Sequence, residues 1–241
     1  ALSNDYSITT NFDGSNQTTT IIRILDNVDP VQDPVAHQGT TNDTTPTLEG
    51  SVGAAIATGE EVIIYRSTGS QPAAEIGKAT VTGTSWTFTD TSLAADGTYI
   101  YTAVVRNNVG ENGPASNAYQ VTLDTVAPTS TATIVDYTDN VAPQEGNFGT
   151  GTTTNDTSPT LNIAVTGAVG TGEVVAVYRD GVKVGNATLV SGSIFSYTDT
   201  SLVNAQSYKY TVRVEDAAGN RGTLSSEFTI NVDTAPPTQD V

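Results

Sequence analysis

The chain has no cysteine and no methionine, one histidine, one tryptophan, and nine basic residues against 26 acidic ones in 241 positions. Each shortage removes a class of function. Without thiols there is no disulfide framework, no thiolate nucleophile and no cysteine-held metal. A single histidine, His37, cannot furnish a Ser-His-Asp triad or a histidine metal cluster, and among turn residues it reads as a solvated loop side chain. The formal charge of −17 argues against nucleic acid or an anionic membrane as partner and favours cations. No apolar run approaches the roughly 20 residues of a membrane span, no membrane insertion is expected, and no signal-peptide pattern is visible. Lack of methionine at position 1 fits a monomeric fragment of a longer polypeptide. Walker, dinucleotide and EF-hand loops are missing. Glu60 and Glu61 are adjacent, and on a strand they would point to opposite faces, which spoils a glycosidase pair. No enzyme is expected.

What is abundant is turn chemistry and short carboxylates. Of the 26 acids, 17 are Asp, mostly beside Gly, Asn, Thr or Pro, where they serve as caps or as metal ligands. The chain also repeats itself. Leu123-Asp124-Thr125-Val126-Ala127-Pro128 returns as Val232-Asp233-Thr234-Ala235-Pro236, Thr41-Asn42-Asp43-Thr44 as Thr154-Asn155-Asp156-Thr157, Tyr65-Arg66 as Tyr178-Arg179, and Thr89-Asp90-Thr91-Ser92-Leu93 as Thr198-Asp199-Thr200-Ser201-Leu202. The offsets of 109 to 113 residues mark two modules of ordinary domain size. The expected division is a remnant last strand and linker at 1–19, a domain at 20–124, a second at 125–233, and the start of another linker at 234–241.

Within each module apolar and polar residues alternate with the period of half-buried strands. The candidates are 21–25, 46–52, 61–67, 74–82, 85–89, 98–106 and 118–123, then 131–135, 159–165, 173–179, 182–190, 194–198, 207–215 and 227–232. No helical repeat exceeds a turn. The expected fold is all-β: tandem immunoglobulin-like β-sandwiches of about seven strands each, joined end to end. Trp86, aligned with Phe195, is expected in the core, Tyr99 and Tyr208 at tyrosine corners, and Asp180-Gly181 in a tight hairpin.

Sandwich topology sorts the loops by pole. Asp26, Asp29, Asp33, Asp43, Asp90, Asp96 and Asp124 fall at the end of the first module, and Glu173, Asp216 and Asn220 at the start of the second. Converging carboxylates repel, by about 1 kcal/mol at 4 Å even in water, so they invite a cation, and an all-oxygen ligand set suits Ca2+. The candidate ligands are Asp124 with Asp216, Glu173 and Asn220 at the joint, and Asp26, Asp29 and Asp43, with Asp136, Asp139 and Asp156 in the second copy, inside each pole. Asp233 is the second copy's joint acid. Asp90 and Asp199, each before Thr-Ser-Leu, read instead as turn caps. At the junction before the first module Asn11, Asn107 and Glu111 replace the acids Asp124, Asp216 and the amide Asn220, which weakens that site.

With the joint, Thr-Asn-Asp-Thr-x-Pro-Thr-Leu at 41–48 and 154–161, and Asp216-Ala217-Ala218-Gly219-Asn220, the chain resembles bacterial Ig-like tandem repeats of giant type I-secreted Gram-negative adhesins, and is similar to the giant non-fimbrial adhesins of enteric bacteria. The resemblance implies an adhesive stalk at the bacterial cell surface, a role in virulence, neighbouring Ig-like modules as partners, a host receptor or glycan engaged through another region, and calcium at the joints through Asp124 and Asp216. A ligand- or glycan-binding module using exposed Tyr and loop residues, and an accessory domain of a secreted hydrolase, are the alternatives.

Overall fold

A computed structural model of the chain describes residues 16–32, 34–69 and 71–236. Residues 1–15 of the expected remnant strand and linker at 1–19, with Asp33, Ser70 and residues 237–241, lie outside the described residues. The chain divides into two compact units between Thr125 and Val126.

In the first unit one sheet runs β2 (Pro34–Val35), β1 (Thr19–Leu25), β4 (Thr47–Val52), β8 (Ser85–Thr89), β7 (Thr80–Thr82). The other runs β3 (Gly39–Thr41), β10 (Tyr119–Leu123), β9 (Gly97–Arg106), β5 (Glu61–Thr68), β6 (Ala74–Lys78). The second unit repeats both. Its first sheet is β12 (Gly146–Phe148), β11 (Thr131–Asp139), β14 (Thr160–Thr166), β18 (Ile194–Thr198), β17 (Thr188–Ser191), and its second is β13 (Thr153–Thr154), β20 (Phe228–Val232), β19 (Gln206–Glu215), β15 (Val174–Arg179), β16 (Val182–Asn186). The fold is all-β, two Ig-like sandwiches in tandem. Burial alternates residue by residue along β4, β10 and β20, as expected of strands with one face on a core.

Among the described residues each sandwich has ten strands, where about seven were expected. The segment at 74–82 is two strands, because β6 pairs with β5 in one sheet and β7 with β8 in the other. The break falls at Ala79, whose amide donates to the Val62 carbonyl at 2.9 Å. The segment at 182–190 breaks likewise at Ala187, bonded to Val175. The segments between the first and second expected strands also carry short strands, and β3 and β13 run parallel to β10 and β20. β11 continues to Asp139, so Asp136 sits on a strand and not in the turn after it.

Trp86 is buried, and its indole N–H donates to the Thr19 hydroxyl at 2.9 Å. Its ring occupies the space over Gly50, its cross-strand partner, where an added Cβ would lie 2.1 Å from the ring. In the second unit the same pair is Phe195 opposite Ile163, so volume moves from one strand to the other across the pair. Both tyrosine corners are present with opposite polarity: the Tyr99 hydroxyl donates to the Ala95 carbonyl at 2.6 Å, and the Tyr208 hydroxyl accepts from the Val203 amide at 2.9 Å. Asp180 and Gly181, at φ 50° and 81°, form the two-residue hairpin. His37 is exposed yet tethered, its Nδ1 accepting from the Gln120 amide at 3.1 Å and its ring edge-on to Tyr119.

Candidate functional site

After the first strand, Asp26 and Asp43 are linked through the hydroxyl of Thr41. Asp26 Oδ1 accepts from the Val28 amide (2.8 Å) and Oδ2 from the Thr41 hydroxyl (2.6 Å), whose oxygen in turn accepts from the Asp43 amide (3.0 Å). Asp43 then accepts from the Thr45 amide and hydroxyl on one oxygen (2.7 and 3.1 Å) and from the Asn27 amide on the other (3.2 Å). Asp26, Thr41 and Asp43 are all buried. Burial raises the Asp26 carboxyl; bonds from Thr41 and the Val28 amide oppose that, and the neighbouring Asp43 charge adds to it. The second unit builds the same bracket from Asp139, Thr154 and Asp156, with Val141, Ser158 and Asn140 as donors. Its counterpart of Asp26 is therefore Asp139. Asp29 is exposed and accepts from Gln32 Nε2 at 2.9 Å, and Asp136 on β11 accepts from Asn162 Nδ2 at 2.6 Å. Both stand apart from these brackets.

At the ends of the last strands, the Asp124 amide donates to the Thr41 carbonyl and the Asp233 amide to the Thr154 carbonyl, both at 2.9 Å. Thr125 is pinned by Asp96 Oδ1, which accepts from its amide (3.0 Å) and its hydroxyl (2.8 Å). Pro128 is buried in the second unit against Gly222, where an added Cβ would meet the Pro128 carbonyl at 3.0 Å. Only Val126 and Ala127 lie between the last pinned residue and the first buried one.

In the second unit's turn after β19, Asp216 Oδ1 accepts from the Ala218 and Asn220 amides and Oδ2 from Asn220 Nδ2, all at 2.9 Å. Glu173 Oε2 accepts from the Gly170 amide at 2.6 Å. The first unit makes the same turn with the groups exchanged: Asn107 Oδ1 accepts from the Val109 and Glu111 amides, and Asn107 Nδ2 donates to Glu111 Oε2. Among the described residues no three His, Cys, Asp or Glu side chains gather closely enough to hold a metal ion. In the Asp26–Asp43 and Asp139–Asp156 brackets the carboxylate oxygens accept from backbone amides and hydroxyls of their own turns. Asp124 and Asp216 belong to different units.

The sequence reading missed three buried ionic clusters. Asp90, read as a cap, does accept from the Ser92 amide and hydroxyl on Oδ1, while Oδ2 accepts from Arg66 at 2.5 Å and from the Tyr101 hydroxyl at 2.9 Å. Burial alone would raise the Asp90 carboxyl, yet the bonds from Ser92, Arg66 and Tyr101 hold it below the usual carboxylate range. Asp199 with Ser201, Arg179 and Tyr210 reproduces this, also lowered. The repeated Tyr-Arg and Thr-Asp-Thr-Ser-Leu motifs were the signal, since one supplies the arginine and the other the carboxylate. At the end of β19, buried Glu215 accepts from Lys183 (2.8 Å), Arg213 (2.9 Å) and the Tyr178 hydroxyl. Burial pushes its carboxyl up, and these donors hold it low.

No described Tyr or Trp is exposed, so the aromatic platform that the glycan-binding reading called for does not occur among the described residues. Among the described residues no helix is long and apolar enough to cross a membrane, which says nothing of β-barrels.

A family model described as a bacterial Ig-like domain matches residues 27–125 and again 131–234. Exoglucanase B of Cellulomonas fimi is 34% identical over 158 residues, which cover 63% of this chain and 13% of that protein. Among solved structures, the FN1-FN3 domains of chicken CNTN1 share 14% identity over 83% of this chain and 63% of theirs, with a TM-score of 0.48. A tetra-tandem repeat from the extending region of a large adhesion protein shares 18% over 91% of this chain and 50% of its own, with a TM-score of 0.31.

Proposed function

From a chain that belongs to the bacterial Ig-like domain family, in two consecutive copies, we propose a non-catalytic spacer: a stalk segment of an extracellular, cell-surface adhesin whose modules present a distant binding region. The observation that carries this is the connector. Pinning of Thr125 by Asp96 and burial of Pro128 leave two residues, Val126 and Ala127, between modules, where a flexible linker would be long and rich in Gly and Ser. Supporting it, the conspicuous polar side chains of each module serve its own turns. Type I secretion and a host receptor or glycan elsewhere in the parent chain complete the reading.

Calcium belongs to the proposal through residue chemistry alone, with Asp124, Asp216, Glu173 and Asn220 as the candidate oxygen ligands. An ion held by the folded chain stabilises it by mass action, about 2.7 kcal/mol at a hundredfold excess over the dissociation constant. The test is thermal unfolding and solution scattering of the whole chain with chelator, with calcium, and with sodium chloride of matched ionic strength. A calcium-specific rise in both Tm and maximum dimension, removed by Asp124→Asn, is the expected result. Equal curves in all three solutions overturn the calcium clamp, and a compact, folded-back chain overturns the spacer.

A second reading draws on the likeness to exoglucanase B: the same spacer carried by a secreted hydrolase. The flanking sequence of the parent chain decides between the two.

A further inference from the structure

The two modules share topology and motifs, but the partners across their strands differ in a consistent way. At the end of β9, Arg106 donates to both oxygens of Glu75 on β6 (2.6 and 3.2 Å), to the Tyr65 hydroxyl (2.7 Å), and to Asn112 Oδ1 (2.8 Å). The register places Glu215, Lys183, Tyr178 and Arg221 at these same four positions in the second module. The tyrosine is kept, and the ion pair is reversed in polarity. On the other sheet, Arg23 of β1 faces Glu49 of β4 at 2.6 Å, whereas Asp136 of β11 faces Asn162 of β14 at 2.6 Å. In the core, Trp86 over Gly50 answers to Phe195 over Ile163.

Each difference penalises the same event, exchange of a strand between modules. β6 placed in the second module would set Glu75 against Glu215; β16 placed in the first would set Lys183 against Arg106. β11 on β4 would set Asp136 against Glu49, and β14 beside β8 would put Ile163 where Gly50 leaves 2.1 Å for a Cβ. Adjacent copies of one fold, held at millimolar effective concentration by a short connector, are prone to such exchange. We propose that these private pairings are a recognition code by which each module accepts its own strands and rejects those of its neighbour during folding.

The test restores compatibility while keeping each pair intact. In the full chain, Arg106→Glu with Glu75→Lys gives the first module the second's polarity, and separately Asp136→Arg with Asn162→Glu gives the second module the first's pair. Each is refolded by rapid dilution from urea, and the non-native and dimeric fraction is measured by size exclusion and by double-jump unfolding, beside the equilibrium midpoint. The expected result is a midpoint near that of the parent chain with the exchanged fraction raised about two- to fivefold per inverted pair. An unchanged fraction at retained stability overturns the proposal. Loss of stability in one variant passes the decision to the other, and loss in both also overturns it, because each polarity would then serve only its own module's stability.

Discussion

Asp90 uses one oxygen to close a turn and the other to hold an arginine and a tyrosine, while in Asp199 the arginine bridges both oxygens and the tyrosine takes the one that does not close the turn. Such a pair is not a large net source of stability, since desolvating two charges offsets most of their attraction, but removing one partner strands the other. Arg66→Ala leaves the Asp90 side chain, 1% exposed, without its counter-ion. The first module should lose about 3–5 kcal/mol, read from urea unfolding, and Arg179→Ala should do the same to the second. At the core pair, Gly50→Ile should be severely destabilising because the Trp86 ring fills the space, and adding Trp86→Phe should recover much of the loss. A coupling of about 1–3 kcal/mol in the double-mutant cycle of thermal unfolding is expected. Composition marked Trp86 and its alignment with Phe195 as core. It did not mark Gly50 and Ile163 as the compensating positions, because cross-strand partnership depends on a register that no single strand encodes.

At the scale of elements, alternation located the longer strands but not their sheets, and it missed the short β2, β3, β12 and β13. The segment at 74–82 reads as one continuous strand because both halves have the same period, and only the change of partner at Ala79 divides it. The turn acids were legible as a group at one pole for a topological reason: the loops that carry them close the same end. Their role was not legible, because it rests on the hydroxyl of Thr41, which donates to Asp26 while accepting from the Asp43 amide. Thr41→Val keeps the shape and leaves a buried carboxylate and a buried amide each short of a partner. A loss of about 2–4 kcal/mol is expected, with faster hydrogen exchange at the Asp43 amide as the local signature.

For the whole molecule, the acids set the pH response. Asp90 and Asp199, from an ordinary value of 3.8, and Glu215, from 4.5, are held lower in the folded chain. Each therefore contributes stability that is complete above its ordinary value and is lost as pH falls through the folded one. Asp26 is raised and acts in the opposite sense, regaining stability as it protonates, but it is one group against these three and Glu75, which its bond from Arg106 also lowers. Urea midpoints should stay level from neutral pH to about 5 and fall below about 4. Modular organisation and all-β architecture were open to sequence reading because the repeats state them twice; the ionic clusters were not, because their members lie up to 37 residues apart on strands whose adjacency exists only once folded. The short parallel ladders of β3 with β10 and β13 with β20 have a mechanical meaning for a tethered chain. Tension entering at Asp124 runs along β10, so the bonds to β3 are loaded in shear and must rupture together, whereas a hairpin pulled from its open end would unzip one bond at a time.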